Sequence, residues 1–115
     1  MNTSGIQAIT IKVSGSNSAL LDDADGLQKL MREIAEVAGL HVLESVTHQF
    51  SPQGVSSALL LSESHIAVHT WPENGTAYIS MTTCKLLEDV TVQQIQELIC
   101  RELAVECVTM KKVDL

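Results

Sequence analysis

Between Val55 and Cys84 the chain passes through three successive strand-type runs, Val55 to Leu61, Ser64 to Trp71 and Thr76 to Cys84. Only Ser62-Glu63 and Pro72-Glu73-Asn74-Gly75 separate them. The first run is almost continuously apolar and the next two alternate apolar and polar residues, the pattern of strands that cover a core on one face. Asn-Gly is a strong hairpin signal because both residues tolerate the positive φ of a tight reversal. Connections this short join antiparallel neighbours, so an antiparallel sheet is the frame on which the remaining segments must be placed.

Those segments read in the same way. Gln7 to Val13 alternates Ile9, Ile11 and Val13, a first strand that Gly15-Ser16-Asn17-Ser18 ends. Asp22, Asp23 and Asp25 suit a helix N-terminus, Leu27, Leu30, Met31, Ile34 and Ala38 recur at helical spacing, and Gly39 supplies the stop. Val42 to Phe50 is another strand, turned into the next by Pro52-Gln53-Gly54. Thr91 with Gln94 forms a capping box for a second helix, whose apolar stripe is Val92, Ile95, Leu98, Ile99 and Leu103, and Ala104 to Lys112 is the last strand. The order β-α-β-β-β-β-α-β predicts an α+β two-layer sandwich, an antiparallel sheet with two helices on one face, formed as one domain over residues 1–115.

Composition narrows the function. A net charge of −7 argues against nucleic-acid or anionic-membrane partners. No apolar run approaches the roughly 20 residues that span a bilayer, and the N-terminus has no basic, cleavable leader, so the expectation is a cytoplasmic protein. Three cysteines without metal-binding spacing fit reduced thiols better than disulfides or zinc, and Cys100 and Cys107 read as ordinary buried residues. His41 and His48 read as surface or edge-strand residues.

The reactive residues crowd into one stretch. Ser62 to Glu73 holds Ser64, His65, His69 and Glu73, and Cys84 closes the following strand. If Trp71 or Pro72 pairs with Thr76, Ser64 falls opposite Thr83 or Cys84, close enough for contact. Five residues of strand put Ser64 and His69 on opposite faces, roughly 16 Å apart. If both serve one reaction, His69 comes from another subunit, which predicts a two-fold dimer with composite sites. His65 and His69, about 13 Å apart on a strand, cannot share a metal ion. A Ser-His-Glu hydrolase triad lacks its Gly-x-Ser-x-Gly elbow here.

Phe50-Ser51-Pro52-Gln53-Gly54-Val55-Ser56, Glu63-Ser64-His65-Ile66, His69-Thr70-Trp71-Pro72-Glu73 and Thr83-Cys84 resemble, in order and spacing, the short prokaryotic pyruvoyl-dependent S-adenosylmethionine decarboxylases. The likeness covers Leu43 to Cys84 in sequence and the flanking helices in pattern only. It implies a proenzyme that cuts itself between Glu63 and Ser64, Ser64 becoming a pyruvoyl cofactor whose carbonyl forms a Schiff base with the substrate amine and accepts the electrons released with carbon dioxide. By the same resemblance Ser56 stabilises the oxyoxazolidine of self-cleavage, His69 removes the proton that drives ester elimination, and Cys84 reprotonates the substrate carbon. Phe50 stacks on adenine, Glu73 holds the ribose hydroxyls and Trp71 walls the pocket. The product is the aminopropyl donor for spermidine synthesis, and each site of the homodimer takes Ser64 and Cys84 from one subunit and Phe50, Ser56, His69 and Glu73 from the other. The chain departs from the family at its first strand, where Ile9-Thr10-Ile11-Lys12-Val13 replaces a Gly-x-His segment, and at Lys85, which replaces a glycine after Cys84. Relatives on this scaffold that use arginine or ornithine, and a non-catalytic binding relative, are the alternative readings.

Overall fold

The computed structural model describes residues 5–115. Six strands form one sheet in the spatial order β2-β3-β4-β5-β1-β6. They are β1 (Gln7–Val13), β2 (Val42–Gln49), β3 (Val55–Leu61), β4 (Ser64–Trp71), β5 (Thr76–Thr83) and β6 (Val108–Asp114). Every neighbouring pair is antiparallel. Two long helices, α2 (Ala24–Val37) and α3 (Asp89–Glu102), cover one face.

The sheet's alternation sets the core. Ile9, Ile11, Val13, Val55, Leu59, Leu61, Ile66, Val68, Ile79 and Met81 point under the helices. They meet Leu27, Leu30, Met31 and Ile34 of α2 and Ile95, Leu98 and Ile99 of α3. Each such side chain contributes about 1.5–3 kcal/mol by leaving water. The expected α2 stripe is therefore the buried one. Its end is a Schellman turn: Gly39 adopts φ +70, Leu40 N–H donates to the Ala35 carbonyl at 2.8 Å, and Gly39 N–H donates to Glu36 at 3.0 Å.

Four local expectations change. A four-residue helix, α1 (Ser18–Leu21), precedes α2, capped by Asn17, whose side chain accepts from Ala19 N–H at 2.7 Å. The third helix starts at Asp89 with Glu88 as its N-cap, so Thr91 lies inside the first turn and forms no capping box; the acidic Asp89 favours that N-terminus through the helix dipole. The last strand begins at Val108, because Ala104 turns left-handed (φ 54) and Val105 N–H closes α3 onto the Cys100 carbonyl at 3.0 Å. Cys107 is exposed and Cys100 half-buried instead of both lying in the core. Burial, with the nearby Cys107 second, raises the Cys100 thiol above its ordinary range.

The second face of the sheet carries no helix. In β2 a bulge between Val42 and Glu44 shifts the register, so Ser45, Thr47 and Gln49 turn toward the helices, and Glu44, Val46 and His48 toward the open face. That face exposes Val46 (69%) and Leu60 (53%) alongside Trp71 and Tyr78.

Candidate active site

Strand β4 carries candidate residues at both ends. At its start, Ser64 is 5% exposed and Cys84, just past β5, is 8% exposed. Trp71 pairs with Thr76 and His65 with Thr82, which puts Ser64 one step further along, level with Thr83. Of the two registers expected from the hairpin, Trp71 opposite Thr76 is the one observed, although the reversal is a 3-10 turn (Pro72–Asn74) completed by left-handed Gly75. The Ser64 hydroxyl donates to Cys84 Sγ at 3.7 Å, and Cys84 N–H donates to Ser64 Oγ at 3.2 Å. Serine oxygen and cysteine sulfur are thus held together inside the protein.

The bond entering Ser64 is equally distinctive. Leu61 pairs with Ser64, so Ser62 and Glu63 alone make the β3–β4 reversal. Glu63 has φ 58, one of two non-glycine residues with positive φ among those described. Such a conformation costs about 1–3 kcal/mol, here on the residue whose carbonyl precedes Ser64. Lys85 extends away from the pair, its Nζ close to Gly39 at the negative end of α2.

The opposite end of β4 lines a cleft of about 370 Å³ walled by Phe50, Gln53, Gly54, Ser56, His69, Thr70, Trp71 and Glu73. Ser56 and His69 are register partners across β3 and β4, and Ser56 Oγ lies 2.6 Å from His69 Nδ1. Phe50 is braced edge-on by His48, ring centroids 4.5 Å apart. Half-exposed Phe50 and Trp71 offer apolar faces to a planar ligand, and Glu73 offers an acceptor. Among the described residues, no group of three or more His, Cys, Asp or Glu side chains is placed to hold a metal ion.

The candidate residues therefore fall into two clusters: Glu63, Ser64 and Cys84 at one end of β4, and Phe50, Ser56, His69, Trp71 and Glu73 at the other. Ser64 belongs to the helix-facing side of the strand and His69 to the open side. The fold does not bring them together within one chain. The Ser56–His69 contact was available from the sequence: a reversal through Ser62-Glu63 alone forces that register. Gln53, Gly54 and Thr70 also line the cleft; they fall within the runs that carry the resemblance, but no site role was expected of them.

The family model described as S-adenosylmethionine decarboxylase matches residues 7–114. The S-adenosylmethionine decarboxylase proenzyme of Acetivibrio thermocellus is 44% identical over 84 residues, 73% of this chain and 67% of that protein. The proenzyme of Methanococcus maripaludis is 42% identical over 76 residues, 66% of this chain and 62% of its own length. The crystal structure of the adenosylmethionine decarboxylase from Aquifex aeolicus shares the fold, with TM-score 0.79 and 24% identity over 94% of this chain and 88% of that one. A Trypanosoma brucei AdoMetDC monomer superposes with TM-score 0.56 and 14% identity, covering 96% of this chain but 46% of that one. The chain belongs to the S-adenosylmethionine decarboxylase family.

Proposed function

We propose that this chain is a proenzyme that cuts itself between Glu63 and Ser64 and then decarboxylates S-adenosylmethionine, supplying an aminopropyl donor for spermidine synthesis, and that it works as a homodimer with composite sites. Decarboxylation of S-adenosylmethionine is the activity of the family to which the chain belongs. The observation that carries the reading is the buried Ser64–Cys84 pair directly behind a left-handed Glu63.

Self-cleavage begins when Ser64 Oγ adds to the Glu63 carbonyl carbon and the Ser64 nitrogen departs, turning an amide into an ester. Strain at Glu63 favours breaking that bond. Ser56 hydrogen-bonds the developing oxyanion, and His69 takes the Cα proton of residue 64 as the Cβ–O bond breaks and Glu63 leaves as a carboxylate. Water then replaces the nitrogen and ammonia departs. Residues 64 and 84 suit the resulting pyruvoyl group: Ser64 is small and buried, its hydroxyl bonds to Cys84, and the cut leaves it as a chain end. The pyruvoyl carbonyl supplies the electron sink that decarboxylation needs. Cys84, beside position 64, returns a proton to the substrate carbon. Phe50 stacks on the adenine, Trp71 walls the pocket, and Glu73 accepts hydrogen bonds from the ribose hydroxyls.

Two features support the dimer. The open sheet face exposes Val46, Leu60, Trp71 and Tyr78 with no layer over it. Ser64 and His69 lie at opposite ends and on opposite faces of β4, and a two-fold axis near the middle of that strand would bring Ser64 of one protomer toward the His69 cleft of the other. The trypanosomal monomer, matched over 46% of its length, has room for two such layers in one chain. Among the described residues no helix is long and apolar enough to cross a membrane. A cytoplasmic setting keeps the Cys84 thiol reduced.

The test is release of labelled carbon dioxide from carboxyl-labelled S-adenosylmethionine, arginine and ornithine. Release from S-adenosylmethionine alone is expected; release from either amino acid instead overturns the substrate assignment. Cys84→Ala is expected to lower turnover about 100-fold or more while slowing self-cleavage far less, because its thiol acts on the substrate carbon and not on the Glu63 ester.

A further inference from the structure

We propose that Asp22 is a positioning residue for the nucleoside end of the site, holding the Phe50-to-Gly54 loop in its binding shape; this rests on the reading that the cleft takes the adenosine part of the substrate. Asp22 lies between α1 and α2, far from both reactive clusters in sequence. Its Oδ1 accepts from Gly54 N–H at 2.8 Å and from Gln49 Nε2 at 2.8 Å. Gln49 in turn donates to the Gly54 carbonyl at 3.0 Å, and Phe50 N–H donates to the same oxygen at 2.8 Å. One carboxylate oxygen thus fixes both ends of the loop that presents Phe50.

The neighbouring residue grips the opposite wall. The Leu21 carbonyl accepts from Thr70 Oγ1 at 2.7 Å, and Thr70 Oγ1 accepts from Val55 N–H at 2.9 Å. Thr70 sits between His69 and Trp71, which both line the cleft. Gly54, at φ +107, packs so closely that a Cβ there would stand 3.3 Å from the Thr70 carbonyl. The α1–α2 corner therefore sets the gap between the Phe50 arm and β4. Short α1 serves to bring that corner to the end of the sheet: it packs against β4 and the Pro72–Asn74 turn. Asp22 is only half-buried, and the clamp rests on the two hydrogen bonds that its one oxygen accepts.

Trp71 is the only tryptophan and lies in the cleft, so its fluorescence reports both the loop and its ligand. The probe is 5′-methylthioadenosine, which carries the adenosine of the substrate, a neutral methylthio group in place of its sulfonium, and no amino-acid group to react. Asp22→Ala is expected to weaken its binding about tenfold. Asp22→Asn keeps the Oδ1 acceptor and stays within about twofold of the parent. Ser56 and His69 hold each other across β3 and β4, and Ser64 bonds to Cys84, without any bond to Asp22 or Gln49, so all variants cut at Glu63–Ser64 within about twofold of the parent rate. Unchanged affinity in Asp22→Ala, or an Asp22→Asn as weak as Asp22→Ala, overturns the proposal. Should Asp22→Ala fail to fold, Gln49→Ala decides: binding weakened about threefold supports the clamp, and unchanged binding refutes it. If the parent protein does not bind the probe, the nucleoside reading of the cleft fails by itself. The clamp is then judged on Trp71 emission, which shifts in Asp22→Ala but not in Asp22→Asn if Asp22 holds the loop, and is alike in all three proteins if it does not.

Discussion

Ser64→Ala leaves a folded, uncut chain whose decarboxylase activity is more than about 1000-fold below that of the parent. The substitution removes one buried oxygen. The hydroxyl bonds to Cys84 Sγ and to Cys84 N–H, so the cost to stability is about 1–3 kcal/mol for a donor left without its acceptor, and the sheet and helices persist. Without Oγ, however, the Glu63 carbonyl has no internal nucleophile and position 64 cannot become a carbonyl. Strain at Glu63 alone cannot open an amide. Electrophoresis of the variant should show one chain, circular dichroism a parent-like spectrum, and labelled substrate no carbon dioxide above background. Retained activity in this variant would mean that the electron sink lies elsewhere.

The second large effect is complementation between inactive chains. His69→Ala homodimers should stall before elimination, and Ser64→Ala homodimers cannot start. A heterodimer of the two, purified through two different tags, contains one site with Ser64 from the His69→Ala chain and His69 from the Ser64→Ala chain. It should cut the His69→Ala chain and recover about half the parental activity, since one of its two sites is whole. The physical ground is the opposition of Ser64 and His69 across β4, one facing the helices and one the open side. Were each site built within a single chain, every site in the heterodimer would lack one group and no activity would return.

Much of this was legible before any coordinates. Alternation placed the strands, and the Asn74-Gly75 reversal narrowed the partner of Thr76 to Trp71 or Pro72, either of which carries Ser64 to the Thr83–Cys84 end of β5. That worked because hairpin register follows from turn length and does not depend on the rest of the fold. What escaped was either short or non-local. Four residues of α1 are too few to show helical periodicity. Thr91 and Gln94 match a capping box in spacing, yet tertiary packing starts the helix earlier, at Asp89. Asp22 looks like any acid near a helix start; in fact Asp23 is the N-cap, accepting from Gly26 N–H at 3.0 Å, while Asp22 reaches a backbone N–H on another loop. No local pattern encodes such a contact. The bulge at Leu43 likewise reversed which β2 side chains face the helices.

By the proposed mechanism this chain makes its own carbonyl cofactor at position 64, and intact mass spectrometry of the purified protein under denaturing conditions tests that step. Two fragments are expected, residues 1–63 and 64–115, the second lighter by one ammonia than a fragment beginning with serine. A single full-length mass from protein that releases carbon dioxide from S-adenosylmethionine would contradict it.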